Sequence, residues 1–318
     1  MKLFTTAISL SLLGNASLLA QKDSNILVPD SPASPSGLAK WFEKPDFDFF
    51  TSSKDSVSTF PLGQLSYTHY FSSDFDTLPG DLTGNELSLV TPLASIRVGE
   101  GFVVPAFMYR WNDFQSDAPG LIPDGSLHQF RLPVVAAWQP ADRWLAGGMI
   151  MPGFSGDLDS SDNFSISAVV GAGYEWSDDF ALFGGVYYFN GFDESYAIPG
   201  LNFIWKPTDR VQVYFLGPFF KINYDISDDW SIGLTGEYDS PTWNVQADEF
   251  GPDRDINYRS FRIGLRTDRR VGPYGWAFAS AGYSFLRDIA VEDLDSNLLL
   301  DEEVDSGFYV ETGLSLRF

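Results

Sequence analysis

The chain has 318 residues, a formal net charge of −23, 16% aromatic residues and no cysteine. The lack of cysteine excludes disulfides, thiolate metal sites and cysteine nucleophiles, and the acidic charge argues against nucleic acid as a partner because phosphate binding requires clustered Lys and Arg. After the N-terminus no stretch approaches the roughly 20 apolar residues of a membrane-spanning helix, so any passage across a membrane is expected to use strands.

The first twenty residues, MKLFTTAISLSLLGNASLLA, have the form of a secretory signal peptide. One Lys is followed by a short apolar stretch and then by small residues, which is the order of an export leader and not of a membrane anchor. We expect residues 1–20 to be the leader, with Ala20 as its last residue. No Cys stands at the cleavage region, so a lipoprotein is not expected.

Residues 21–59 form a Ser-, Pro- and Asp-rich stretch that includes VPDSPASPSG and the aromatic cluster KWFEKPDFDFF. This composition predicts an extended periplasmic segment. The segment acts either as a plain linker or as a strap that folds back on the mouth of the next domain or plugs it. That domain is expected to span residues 60–318.

Strand-like segments fill residues 60–318 and are joined by two kinds of connection in strict alternation. The short kind includes WQPADRW, WSDDF, WKPTDRV and ISDDW, which have the turn chemistry of hairpins. The long kind is acidic, as in NDFQSDAPGLIPDGS and RDIAVEDLDSNLLLDEEVDS. Tight turns at one end and long loops at the other are typical of outer-membrane barrels. The prediction is an all-β, transmembrane antiparallel up-and-down β-barrel of about 14 strands. The count rests on a break at Gly217 and Pro218, since Pro is excluded from a central strand, and it becomes 12 if that break is absent.

Tryptophans cluster beside the short connections. An aromatic girdle at the periplasmic membrane interface requires this arrangement. The predicted girdle consists of Trp138, Trp144, Trp176, Trp205, Trp230 and Trp276.

Strand alternation separates the residues that face lipid from those that face the lumen. Charged residues mark the lumen side, because Arg on the lipid face at mid-membrane costs about 2–4 kcal/mol. The same alternation turns the bulky Phe183, Tyr187 and Tyr214 inward, where they would fill space. The predicted lumen-facing charges are Glu86, Arg110, Arg131, Glu175, Glu237, Arg262, Arg266 and Glu311.

The chain ends on GLSLRF, in which apolar residues alternate up to an aromatic last residue. Phe318, Leu316, Leu314 and Phe308 share one strand face. The ending resembles the C-terminal assembly signal of bacterial outer-membrane barrels, which implies recognition by the barrel-assembly machinery.

From residue 60 to the end the chain resembles a group of uncharacterised bacterial outer-membrane β-barrels that share a domain of unknown function. The resemblance is carried by the leader, by the repeated turns at Trp138 and Trp205, by YFLGPFFKINYDISDDWSIGLTGEY and by GLSLRF. It implies a place in the bacterial outer membrane, among lipid and lipopolysaccharide. It implies no activity, because the group has none to transfer.

The sequence lacks the catalytic motif of barrel lipid hydrolases. Barrel lipid hydrolases place Ser two residues after His, so that base and nucleophile share a strand face, whereas His69 precedes Tyr70 and Phe71, and His128 precedes Gln129 and Phe130. The acidic loop EDLDSNLLLDEE lacks the Gly and Glu of a helix-loop calcium site. Neither a metal nor a cofactor is expected.

The leading expectation is a porin-like passive channel for small solutes. Excess acid at the mouth of the long loops predicts a weak preference for cations. The alternative is a non-conducting structural barrel, and an outer-membrane lipid hydrolase is a more distant one. The oligomeric state is left open.

Overall fold

The structure is a computed structural model that describes residues 63–118, 126–157, 164–190, 195–246, 253–272, 274–293, 295 and 297–317. The predicted leader and the predicted periplasmic segment lie outside the described residues, as does Phe318. Within the described ranges no helix is long and apolar enough to cross a membrane.

The described residues form strands joined by turns. Their bounds are β1 Gly63–Asp74, β2 Asp81–Pro92, β3 Ile96–Val98, β4 Gly101–Ser116, β5 Ser126–Arg131, β6 Val134–Ala141, β7 Trp144–Gly156, β8 Phe164–Ser177, β9 Phe180–Asn190, β10 Ser195–Thr208, β11 Val211–Leu216, β12 Phe219–Ser227, β13 Trp230–Asp239, β14 Thr242–Val245, β15 Arg254–Arg270, β16 Gly275–Asp293, β17 Leu298–Val304 and β18 Gly307–Leu316.

These strands make a closed antiparallel barrel of 14 wall strands. Four consecutive pairs share the same neighbours, so each is one wall strand with a short interruption: β2 with β3, β5 with β6, β13 with β14, and β17 with β18. The first strand closes the wall on the last one, with Gly63 opposite Leu316. The predicted barrel of 14 strands is therefore confirmed.

The predicted break at Gly217 and Pro218 is also present. β11 and β12 form a hairpin around these two residues, and Gly217 has φ +64°, a conformation that glycine adopts without strain. This hairpin is short, since β11 has six residues and β12 has nine.

The outer surface of the barrel is apolar. Along β8 and β10 the outward residues Val170 and Leu201 are 62% exposed, while their inward neighbours Val169 and Asn202 are buried. A soluble barrel would bury such side chains, whereas a lipid-facing wall exposes them. The exterior therefore agrees with the transmembrane architecture predicted above.

The two ends of the barrel differ in their connections. At the short-turn end, residues 99–100, 142–143, 178–179, 209–210, 228–229 and 271–274 join the strands. At the long-loop end the connections are longer, with residues 217–218 as the exception.

Candidate functional site in the barrel lumen

The lumen is a candidate site because charged side chains from distant strands meet inside it. Arg110 on β4 donates to Asp239 on β13 with Nη1 and Oδ2 2.5 Å apart. These residues are 129 positions apart in the chain, and their strands lie on different sides of the wall. Both side chains are buried. The ion pair therefore crosses the lumen.

Arg262 on β15 connects this ion pair to further side chains, and we call the whole group the central network. Its Nη2 lies 3.0 Å from Glu237 Oε2, and its Nη1 lies 2.6 Å from the Tyr70 hydroxyl and 3.8 Å from Glu86 Oε1. Glu86 also lies 3.8 Å from Nε of Arg110. The structure thus brings four of the predicted lumen charges together. It adds Asp239, which the alternation of β13 points inward like Glu237.

A second charged cluster fills the short-turn end of the lumen. Asp268 is fully buried and lies between three cations. Arg266 Nη2 is 3.0 Å from its Oδ1, Lys221 Nζ is 3.6 Å from its Oδ2, and Arg317 donates to its Oδ1. The guanidinium of Arg317 also stacks over the ring of Trp276, with 4.6 Å to the ring centroid. The predicted lumen charges include Arg266 but not Asp268, Lys221 and Arg317. Each of these three residues lies at an inward-facing position in the alternation of its strand.

The three other predicted lumen charges are Arg131, Glu175 and Glu311, of which Arg131 lies close enough to the first cluster to interact with Arg110 and Asp239. Arg131 faces inward opposite the buried Met108. Glu175 is buried at the short-turn end of β8, and Glu311 is half-buried opposite Ser280.

The side of the lumen formed by residues 102–108 of β4 and by β6 to β11 is mainly apolar. We call it the apolar half, and we call the side with the two charged clusters the charged half. Tyr187 and Tyr214 lie in it as predicted, and Phe183 packs against it. Near the short-turn end Glu175 and Lys206 interrupt it. Its buried members are Phe102, Val104, Ala106, Met108, Val135, Ala137, Leu145, Met149, Met151, Val169, Ala181, Tyr187, Phe189, Ile204, Tyr214 and Leu216.

A strand crosses the lumen near the long-loop end. β14 remains paired with β15 and also meets β7, from another part of the wall, in a parallel bridge between Asn244 and Gly156. Trp243 of β14 is fully buried and contacts the ring of Phe114 edge-on, with centroids 5.9 Å apart. A second apolar cluster forms around Trp243 and closes part of this end.

Several buried polar atoms in the charged half have no hydrogen-bond partner among the described residues. Buried polar atoms need a partner, and in a lumen water supplies it. These atoms mark polar positions of the interior beside the ion pairs. They are Thr68 Oγ1, Asn112 Oδ1, Asn223 Oδ1, Ser231 Oγ and Ser284 Oγ.

Five of the six predicted girdle tryptophans are exposed at the short-turn end. Trp176, at 70% exposed, is the most open, and Trp138, Trp144, Trp205 and Trp230 are 41–46% exposed. The prediction is wrong for Trp276, which is 3% exposed and faces the lumen. The alternation of β16 sets its direction, because Phe278 and Ser280 on the same parity are also buried.

The terminal strand exposes its apolar face to the outside of the barrel. Phe308, Leu314 and Leu316 are 49–57% exposed and point outward. They stand at the seam where β18 pairs with β1.

Both histidines lie on the outer face of the wall. His69 Nδ1 is 2.9 Å from Asn85 Oδ1, and His128 Nδ1 is 2.9 Å from the Tyr109 hydroxyl. In the part of the chain that the structure describes, no cluster of three or more His, Cys, Asp or Glu is arranged to hold a metal ion.

Comparison with solved structures finds bacterial β-barrels of low sequence identity. An outer-membrane channel from Pseudomonas putida F1 matches with 11% identity and a TM-score of 0.45, covering 80% of this chain and 94% of that one. The KdgM porin matches with 10% identity and a TM-score of 0.34, covering 80% and 99%. Outer membrane phospholipase A from Escherichia coli matches with 12% identity and a TM-score of 0.35, covering 81% and 93%.

No curated protein resembles the chain in sequence at a significant level. A family model described as a domain of unknown function, DUF6268, matches residues 137–317. This match covers more than half of the chain and includes the wall from β6 to β18. The chain therefore belongs to the DUF6268 family.

Proposed function

We propose that the protein is an outer-membrane channel through which small polar solutes pass along the charged half of the lumen. The observation that carries the proposal is the concentration of charged and polar side chains on one side of the lumen, which includes Ser231 Oγ and Ser284 Oγ without a partner among the described residues. Water that binds these atoms forms a narrow aqueous path beside the two charged clusters. The path is lined by side-chain charges, which select among solutes in channels generally.

The proposal includes a weak preference for cations. Inside the charged half, acids and bases occur in nearly equal numbers, so the lumen itself adds little preference. The long-loop end carries an excess of exposed acid. These charges concentrate cations within a Debye length of about 8–10 Å at ordinary salt. Exposed acids at that end include Asp74, Asp76, Asp117, Asp301 and Glu303.

Reversal potentials across a salt gradient in a planar bilayer test this preference. We expect weak cation selectivity that fades as salt rises, because screening shortens the reach of the mouth charges. The double variant Asp301→Asn, Glu303→Gln should lose part of the selectivity. A matched control is Asp178→Asn, Asp229→Asn at the other end, where Arg143 and Arg270 already pair with these acids. Anion selectivity of the wild-type channel would contradict the proposal.

The long-loop end is proposed to face the outside of the cell, after export directed by the leader. The terminal strand with Phe318 serves the barrel-assembly machinery, and lipid and lipopolysaccharide surround the wall. A peptide tag inserted between residues 248 and 253 should be labelled on intact cells, and a tag at Asp142 should not. Labelling of the Asp142 tag alone would reverse the orientation.

One observation favours a second candidate, a non-conducting structural barrel. Inward side chains of both halves, from Ile204 and Tyr214 to Lys221 and Asp268, are almost fully buried. Correctly folded protein that shows no conductance in the bilayer would decide for this candidate. Neither proposal assigns catalysis to the barrel.

A further inference from the structure

The wall is incomplete above the short hairpin of β11 and β12. β10 pairs with β11 only from Asn202 to Thr208, because β11 ends at Leu216. Residues 197–201 continue to pair with β9 on the other side. Across the break, β12 reaches only to Glu237 of β13 in the ladder, and above it β14 pairs with β15 and meets β7. Among the described residues, no ladder pairing joins β10 to β13 or β14 across this gap.

A proline lies on each side of the gap, as is common in edge strands. Pro199 lies in the middle of residues 197–201, and Pro241 interrupts the wall strand between β13 and β14. Proline lacks an N–H and is confined to edge strands and interruptions, where no neighbour needs that donor. Proline at both edges is therefore compatible with the gap, although Pro105 of β4 and Pro152 of β7 also stand in paired strands.

The gap lies at membrane depth. Residues 197–201 are four to eight positions above Trp205, which belongs to the exposed girdle. A tilted strand rises about 2.5 Å per residue along the barrel axis, so the gap begins about 10 Å above the girdle and extends to about 20 Å. The apolar band of such a barrel is about 25 Å tall, so the gap opens into its long-loop half.

Apolar and aromatic side chains of the lumen lie behind the gap. Tyr196, Ile198 and Phe219 are partly buried and pack against the apolar half, next to Leu216. The rings of Tyr196 and Phe189 are 5.2 Å apart. At the other edge of the gap, Glu237 lies opposite Phe219, and Glu237 and Asp239 are paired with Arg262 and Arg110.

We infer that the gap is a lateral port, through which small uncharged aromatic or aliphatic molecules pass between the apolar half of the lumen and the surrounding lipid. Open strand edges are costly in lipid unless they line a cavity. The apolar lining on the β10 side would let such molecules reach the lipid, while the carboxylates at the β13 edge stay paired with Arg110 and Arg262. This inference goes beyond the proposed axial path for polar solutes and does not depend on it.

Lipid access to the port can be measured with single cysteines, because the natural chain has none. Bimane at Ile198→Cys should be quenched by phospholipids with brominated acyl chains. Bimane at Leu201→Cys, on the outer face, gives the upper limit of quenching by lipid. Bimane at Met149→Cys is the matched control, since Met149 is also an inward residue but lies on β7, which is paired on both sides. Equal and weak quenching at positions 198 and 149 would overturn the port.

Passage can be tested by completing the wall. Eight strand-forming residues inserted between Gly217 and Pro218 should add four residues to each arm of the hairpin and cover residues 198–201. The same eight residues inserted between Asp228 and Asp229 lengthen a short turn at the other end and leave the gap open. In intact cells that express the wild-type chain, uptake of N-phenyl-1-naphthylamine, an uncharged aromatic probe, should exceed that of cells without it. The insertion after Gly217 should remove most of that excess, and the control insertion should keep it.

The outcomes separate this inference from the channel proposal. Unchanged probe uptake after the hairpin extension, in protein that still runs as a folded, heat-modifiable barrel, would overturn the port. Strong quenching at position 198 in a barrel without ion conductance would support the port and remove the axial channel.

Discussion

The apolar half and the charged half of the lumen share one wall geometry but are stabilised in different ways. In the apolar half the inward positions of neighbouring strands carry aliphatic and aromatic residues, so contacts are many and non-directional. In the charged half each cation depends on particular carboxylates, across the lumen for Arg110 with Asp239 and on the neighbouring strand for Arg262 with Glu237. The first arrangement tolerates small changes in shape, whereas the second loses much when one partner is removed. The comparison shows that one strand alternation supports two kinds of interior.

The largest expected effect comes from breaking the central network. Arg262→Met would leave the buried Glu86 with Arg110 at 3.8 Å and would remove the 3.0 Å ion pair of the half-buried Glu237. Removing one partner of a buried ion pair typically costs about 3–5 kcal/mol. We expect a loss of that size in the free energy of unfolding, measured by urea titration in lipid or detergent. The control Arg269→Met, at an exposed position of the same strand, should change it little.

A smaller loss is expected in the apolar half. Ile204 is fully buried, and Ile204→Ala should cost about 2–4 kcal/mol through lost burial and the cavity left behind. This loss should not depend on salt, because no charged group is removed. The loss in Arg262→Met should depend on salt. Leu201→Ala on the lipid-facing side of the same strand should cost less. An equal loss for the two variants would show that the apolar half is not packed as a core.

A carboxylate outside the membrane provides an intermediate case. Burial raises the pKa of Glu302, but hydrogen bonds from Thr77 Oγ1, Thr77 N and Leu78 N outweigh it, so the pKa is lowered on balance. Stability from a lowered pKa is present above the unfolded value of about 4.3 and is lost as pH falls through the folded value.

Wild type should therefore exceed Glu302→Gln in stability at pH 7, by less than the effects above. The difference should shrink as the pH falls below about 4. The rate of limited proteolysis at the connection of residues 75–80 measures this difference in stability. A difference that grows on acidification would show that the carboxylate is not what holds this connection.

The smallest effect is expected on the outside of the barrel. Trp176 is 70% exposed and touches Tyr174 with ring centroids 6.0 Å apart. Trp176→Ala should change the free energy of unfolding by about 1 kcal/mol or less, since surface substitutions away from special features have small effects. Trp276→Ala should cost more, because Trp276 packs under Arg317 in the lumen. A reversed order would contradict the inward placement of Trp276.

The fold was predictable because alternation and turn chemistry act locally. The inward direction of Arg110 and Arg262 follows from period two, and the break at Pro218 follows from its missing N–H. The position of Trp276 beside a short connection favours the girdle. The strand alternation, however, gives Trp276 the same inward direction as Phe278. The partner of Arg110 was not predictable, since Asp239 is brought near it by the closure and shape of the whole barrel. The apolar half was only partly foreseen, because its inward residues resemble lipid-facing ones.

The seam between β1 and β18 has a consequence for biogenesis. Its partners, Gly63 and Leu316, lie about 250 residues apart, and closing a chain segment of that length costs about 5 kcal/mol of conformational entropy. Until the last strand is in place, the unfinished wall carries two open edges, which are templates for aggregation. Removal of β18 should therefore leave β1 and β16 with open edges, which quality-control proteases can recognise.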